Sequence, residues 1–379
     1  MTDPVTLLVD GTRFSRWTDI SITRGIDRTV SSFQFTAGDA GQGLPFLPFA
    51  ECEVYIGQDK FLTGYVERIG VELDRDHNVL RVSGHSKTID LTQCTPDVQS
   101  GQFAGATVAS IARAICALFG IDVVVKTDKA GAVVQNTNLE RGETAFRFLE
   151  RLGNLSGVLL SDDENGNLVL QIAGDDSSDT LLEQGRNLER IHGDFDGSRR
   201  FSDYIVKGQA GIALGNALNL DGEGGVSAEA PTGDVQTSMR AAAADTGVPR
   251  YRPHVSIAES QLTPAQMKAR AEWQKRYSYG QSIKVDARLP GFRQESGELW
   301  RPNLLVPVLS PRLTADLELL VASVTFTLSP HGGGVTDLRL GPIEGYTPDP
   351  GSVRASKVPR GKKGRGGKGD PVDPWKDVV

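Results

Sequence analysis

An apolar spacing near residue 66 recurs about two-thirds of the chain later. Val66, Ile69, Val71 and Leu73, in FLTGYVERIGVEL, are answered by Val321, Val324, Phe326 and Leu328, in LLVASVTFTL. Each set is followed by a polar turn rich in Gly or Asp and then by a second apolar run that closes on glycine, VLRVSG at Gly84 and VTDLRLG at Gly341. Alternation with a period near two marks half-buried strands, so each copy reads as a β-hairpin. A chain that holds one β-unit twice is strongly constrained, because both copies must bury the same face. A small symmetric oligomer of such chains presents twice as many equivalent modules as it has subunits.

The strands VTLLVDG, DISITRG, SSFQFTAG and CEVYIG surround the first copy, separated by Gly, Asp and Pro turns, and predict a first β-barrel domain over residues 1–98. Within it, GQGLPFLPF at 41–49 reads either as an interaction loop or as a packed Ω-type loop. The period then changes. Val108, Ile111, Ile115, Leu118 and Phe119 share one face of a helix expected from Thr107 to Phe119, with Gly120 as its stop. A second helix is expected in ETAFRFLERLGNLSG, with Ala145, Phe148, Leu149 and Leu152 inward and Glu143 near its positive end. Two strands in VLLSDDENGNLVLQI meet across Asn165 and Gly166, a pair that tolerates positive φ. These elements make an α/β domain over 99–185.

A second, discontinuous β-barrel domain is predicted from residues 186–212 joined to 279–345. Between its parts lies an insertion, 213–278, whose only regular element is a helix at 263–277. Thr263 caps that helix, Pro264 and Gln266 complete its first turn, and Ala265, Ala269, Trp273 and Tyr277 share one side. Residues 346–379 form a basic tail whose composition predicts disorder. The fold class is therefore α+β, mainly β: two similar small antiparallel β-barrel domains plus α/β domains in one multidomain chain of 379 residues.

The net charge of −7 conceals an asymmetry. Arg354, Lys357, Arg360, Lys362, Lys363, Arg365 and Lys368 form a cationic run without an acid, followed by a stretch worth −2, so residues 1–353 carry −12. An acidic body repels phosphate and excludes a DNA-binding role for the body. The tail reads as an electrostatic arm for phosphate, as an extended peptide that docks on an acidic partner, or as a solubilising end; without aromatic residues between Val353 and Pro374 it does not read bases by stacking. No basic segment followed by an apolar run and a cleavage site opens the sequence, and no apolar run spans a bilayer, so neither secretion nor membrane insertion is expected. Cys52, Cys94 and Cys116 have no CxxC spacing and read as small core residues of a protein kept in a reducing compartment.

Chemistry is hard to find in this sequence. His77, His85, His192, His254 and His331 form no metal-ligand spacing. The acidic groups Asp162, Asp163, Glu164 and Asp175, Asp176, Asp179 lack the glycine and terminal glutamate of a calcium loop and read as solvated turns. There is no phosphate-binding glycine loop and no nucleophile elbow. No catalytic residue, no metal and no cofactor is expected, and the protein reads as a non-enzyme. A convergent carboxylate pair for glycoside cleavage stays open.

FLTGYVERIGVELDRDHNVLRVSGHSKTIDLTQCT, ETAFRFLERLGNLSGVLLSDDENGNLVL, RRFSDYIVKGQ and GELWRPNLLVPVLSP, in that order, resemble the baseplate hub proteins of contractile-tailed phages over residues 1 to about 345. The FLERL helix and the hairpin after it are also similar to the phage late-control D proteins and the type VI secretion spike proteins. The chain lacks the long β-helical spike of the latter. The resemblance implies a homotrimer with two similar barrels per chain, six in a ring, joining a sixfold tail tube to a threefold spike beside other baseplate proteins. It implies a virion component assembled in the host cytoplasm, with DNA passing through its channel without specific binding. The rival reading is a tail-associated cell-wall hydrolase.

Overall fold

Alternating burial along Val5, Leu7 and Val9 makes the first strand, and the pair Asp10-Gly11, both at positive φ (48° and 79°), turns it back on the next. The computed structural model describes residues 3–38, 46–74, 78–98, 100–209, 238–258, 263–313, 315–330 and 332–349. Its first seven strands are β1 (Val5–Val9), β2 (Thr12–Phe14), β3 (Asp19–Gly25), β4 (Ser32–Gly38), β5 (Glu51–Ile56), β6 (Asp59–Leu73) and β7 (Asn78–Ser86). All pair antiparallel.

The mixed segment follows: α1 (Ile89–Gln93), β8 (Gln102–Thr107), α2 (Val108–Cys116), β9 (Val123–Val125), β10 (Val133–Asn138), α3 (Ala145–Ser156), β11 (Leu159–Asp162) and β12 (Leu168–Gln171). Thr107 caps α2 by accepting from the Ser110 N–H at 3.1 Å, and Gly120 ends the turn after it in the left-handed region. Val108, Ile111 and Ile115 are buried as their spacing predicts. Leu118 is 53% exposed instead, because the helix gives way to a 3-10 turn at Ala117–Phe119 and the period shifts. Helix α3 buries Ala145, Phe148, Leu149 and Leu152 between a Thr144 cap and a left-handed Gly157. Glu143 does not act at its N-terminus alone; it holds Arg151 at 3.0 Å. The β11–β12 hairpin is wider than an Asn-Gly turn. Asp162 is the last residue paired with Leu168, only Gly166 takes positive φ, and Asp163 accepts the N–H groups of Asn165 and Asn167, both at 2.9 Å.

Two short strands, β13 (Asp176–Ser177) and β14 (Leu182–Glu183), lead to β15 (Arg190–Phe195). The chain then separates into a second compact unit, residues 200–276, set apart from 1–199 with 277–379. This unit contains β16 (Asp203–Gln209) between antiparallel β17 (Ser238–Ala244) and parallel β18 (Pro253–Ile257), and it takes in most of α4 (Pro264–Gln281). Residues 203–209, expected in the second barrel, thus pair elsewhere. Val206 buries against Ala243, Met267 and Ala271, a cluster of its own. The expected insertion holds two strands besides its helix; SMRAAAA hid one of them, since alanine favours helix by propensity and tertiary pairing overrides it here. The capping box of α4 is present, with Thr263 N–H donating to Gln266 Oε1 at 2.9 Å and Gln266 N–H to Thr263 Oγ1 at 3.3 Å. Its buried face is Met267 and Ala271; Ala265, Ala269 and Tyr277 are exposed.

The chain closes with β19 (Ile283–Pro290), β20 (Leu304–Ser310), β21 (Ala315–Ser329) and β22 (Gly333–Gly341). Two runs of five strands now repeat one order, β3-β4-β7-β6-β5 and β15-β19-β22-β21-β20, inside a single sheet of 14 strands. The match extends to an irregularity. The β6–β7 ladder shifts register between Val66 and Arg68, and the β21–β22 ladder shifts between Val321 and Ser323, the same place in the repeated spacing. The closing glycines are not equivalent, however: Gly84 lies opposite Val66, whereas Leu340 lies opposite Val321. A Cβ on Gly84 would stand 2.7 Å from the Phe33 ring and 2.0 Å from the Tyr65 carbonyl oxygen. In the second run Leu340 faces Val285, so bulk has moved from one strand to its neighbour.

Both runs feed one apolar core, in which Phe326 lies edge-on to Phe61 at 5.1 Å and to Phe292 at 5.2 Å. Phe326 is fully buried. Phe326→Ala is expected to destabilise residues 1–199 with 277–379 by about 3–5 kcal/mol, read as a lowered urea midpoint with an unchanged slope.

Candidate assembly interface

The joint between the repeats is a strand pair, β3 against the outer half of β21. Ile20, Ile22 and Arg24 stand opposite Leu328, Phe326 and Val324 in antiparallel register. Alternation sends Ile20 and Ile22 into the shared core, at 3% and 0% exposure. On the other face the Thr23 and Thr325 hydroxyls meet at 3.0 Å. The joint ends where Ile26 N–H donates to the Ala322 carbonyl at 2.8 Å. Gly25 permits that approach, since a Cβ there would lie 2.9 Å from the Ser323 Cβ.

A polar clasp fastens the α/β segment to this joint. Asp162, at the end of β11, accepts from Ser31 N–H and Ser31 Oγ, each at 2.9 Å. Arg24 donates from Nη2 to the Asp162 carbonyl at 2.7 Å and lies 3.7 Å from both the Asp162 and Glu164 carboxylates. Its guanidinium stands 5.7 Å from the Phe61 ring centroid. Asp162 is 3% exposed, which corrects the expectation of a solvated turn. The sequence shows the carboxylate but not Ser31, its distant partner, and no local pattern reports a contact so far along the chain. Asp163 does serve its own turn, and Asp175, Asp176 and Asp179 are exposed, Asp176 paired with Arg301.

The strands equivalent to the joint are placed differently. Strand β6 pairs with β7 from Gly64 to Leu73 and with β5 only up to Tyr65, so the outer half of β6 has no second neighbour among the described strands. Strand β15 is the last in its run and, among the described residues, pairs with β19 alone. Val71 and Leu73 are 42% and 68% exposed, although Phe326, the counterpart of Val71, is buried. Part of the proline-containing loop adjoins this edge. Phe49 N–H donates to the Val66 carbonyl at 2.7 Å, with its ring 85% exposed, while Phe46 packs edge-on to Phe14 at 5.1 Å. Residues 46–49 therefore combine a packed anchor with exposed apolar side chains, and 39–45 lie outside the described residues.

Reactive groups do not converge. Burial pushes the Cys52 and Cys116 thiols up to about 12, far from a thiolate at neutral pH. Cys94 is exposed, contrary to expectation, because it follows α1 outside the core. His85 pairs with Glu67 at 2.6 Å, and His254 packs on Phe201 at 4.9 Å between centroids. Among the described residues no three His, Cys, Asp or Glu side chains gather as a metal site. His77, His331 and the cationic run Arg354, Lys357, Arg360, Lys362, Lys363, Arg365 and Lys368 lie outside the described residues.

Three family models match the chain in tandem. Residues 4–86 match the N-terminal domain of "Mu phage baseplate assembly protein GpP-like", 88–172 the second domain of "Baseplate hub protein gp44-like", and 263–349 the fourth domain of "Mu phage baseplate assembly protein GpP". The chain is 32% identical over 351 residues to baseplate hub protein gp44 of Escherichia phage Mu, covering 91% of this chain and 89% of that one. It is 29% identical to the 43 kDa tail protein of prophage MuSo2 from Shewanella oneidensis, with a TM-score of 0.79 over 92% of this chain and all of the other. At 11% identity the fold extends to the E. coli type VI secretion component c3393, with a TM-score of 0.53 over 93% of this chain and 80% of that one.

Two measurements check the site. Asp162→Ala removes the carboxylate that accepts from Ser31 N–H and Oγ and that lies 3.7 Å from Arg24, and is expected to cost about 1–3 kcal/mol in urea unfolding. A thiol reagent is expected to label Cys94 alone in the native protein and all three cysteines after denaturation.

Proposed function

This chain belongs to the baseplate hub proteins of Mu-like phage tails, and on that premise we propose that three copies close into a ring of six β-modules. The family makes it a structural component of the virion tail rather than an enzyme. In the proposed ring each chain supplies two modules, β3-β4-β7-β6-β5 and β15-β19-β22-β21-β20. One face then offers six similar contacts to a sixfold tail tube, while everything present once per chain keeps threefold symmetry and matches a trimeric spike. The hub acts as a geometric adaptor; no bond is made or broken.

The observation that carries this reading is the internal repeat itself, down to the shared register shift at Val66/Arg68 and Val321/Ser323. A chain with a single module per copy would need six subunits to face a sixfold tube. The charge of residues 1–353 supports a channel for DNA, since an acidic wall repels phosphate and lets the polymer slide without adhering. The basic run from Arg354 to Lys368 is proposed as an arm for an acidic surface of another baseplate protein.

Sedimentation of the purified protein is expected to give a species of three chains in equilibrium with monomer, favoured by concentration and by added tube or spike protein. Electron-microscopic class averages of that species are expected to look sixfold. Single chains at every concentration, or a ring of six chains, would overturn the reading. A zymogram is expected to leave peptidoglycan intact, against the hydrolase alternative.

A further inference from the structure

Within one chain, β3 fills the open edge of β21. The corresponding edges of the other two equivalent strands, β15 and the outer half of β6, have no strand beside them among the described residues. We propose that β15 of one copy pairs antiparallel with residues 68–73 of β6 in the next copy, in the register that β3 takes on β21. This rests on the trimeric reading above and specifies its joint.

The ladders determine the register. Val324 and Ile69 hold the same position, opposite Leu338 and Val82. Phe33 and Val285 are likewise equivalent, since they face Gly84 and Leu340. Ile22 faces Phe33 and Gly193 faces Val285, so Gly193 takes the place of Ile22. Ile22 stands opposite Phe326, the counterpart of Val71. Transfer of that pair sets Gly193 opposite Val71. Its neighbours follow: His192 opposite Glu72, Ile191 opposite Leu73, and Asp196 opposite Arg68.

Neither charge nor hydropathy entered the transfer, yet the result is complementary in both. An acid meets an imidazole, a guanidinium meets a carboxylate, and two large aliphatic side chains meet each other. A slip of one residue in either direction would set Glu72 against Ile191 or Gly193. The exposure of Val71 and Leu73 also finds its cause. Phe326 is covered by Ile22 of β3 together with Phe61 and Phe292, whereas in the joint the exposed Leu73 meets Ile191 of the next copy. An unpaired edge that carries exposed apolar side chains is a template for strand addition. The committed occupant is a second copy of this chain. The contact is head-to-tail, so it repeats until the ring closes on itself.

Directly opposed residues in antiparallel strands are close enough for a disulfide. The test is Glu72→Cys with His192→Cys in a Cys94→Ser background, oxidised and run on a non-reducing gel. Covalent dimers and trimers are expected, at a yield about five times or more that of a control with Glu72→Cys and Arg190→Cys, two residues out of register. A sedimenting trimer that stays uncrosslinked, or crosslinks equally in the control, would overturn this joint and leave the trimer standing. Single chains under all conditions would overturn the trimer and the joint together. A second pair of variants avoids cysteine: Glu72→Lys is expected to weaken the trimer about tenfold or more, and His192→Glu added to it to restore assembly. Failure of the second change to restore assembly would count against the register.

Discussion

The structure depends on a backbone pairing, the antiparallel ladder between β3 and the outer half of β21. Without it the two five-strand runs would be separate sheets, each with a long open edge and half a core. With it, Ile22 and Phe326 close over each other, and a sheet of 14 strands buries one shared interior. Hydrogen bonding supplies the direction of the joint, and apolar burial supplies most of its free energy.

The bulge is what allows one strand to serve two partners. Up to Leu320, β21 pairs with β20; beyond the shift at Val321/Ser323 it pairs with β3. An extra residue in a ladder bends the strand and increases its twist, so the two halves face different neighbours. Strand β6 carries the same device at Val66/Arg68, where Phe49 and Ala50 cover the turn in direction through the Val66 backbone.

Much of this was legible in the sequence, and the parts that were not have physical causes. The Thr107 and Thr144 caps and the left-handed Gly157 come from the structure; the helices α2 and α3 themselves are legible because Gly120 stops the first and the apolar residues of both keep one period. The doubled hairpin was readable from Val66 and Val321 onward for the same reason. The second unit was obscured because its strand Ser238–Ala244 is mostly alanine and its helix buries Met267 and Ala271 rather than a clear stripe. Asp162 is illegible in the sequence because a buried carboxylate and a surface one look alike until Arg24 of β3 and Ser31, just before β4, are brought against it. The cationic run from Arg354 to Lys368 lies outside the described residues, and the proposed sheet-edge joint has as its signal an absent neighbour, which no local sequence pattern carries. Val71 and Leu73 carried a faint version of that signal, being apolar in a segment flanked by charge.

The glycine at position 84 has a consequence for how such a repeat evolves. Where the first module sets Phe33 opposite a glycine, Gly84, the second sets Val285 opposite Leu340. The interiors have diverged by trading volume across a ladder, and the trade is only tolerable when both sides move together. A chimaera that transplanted one strand between modules would create either a collision with the Phe33 ring or a hole beside Val285. Volume in the two modules is thus matched pair by pair across the ladder, and the shared strand order does not require shared residues.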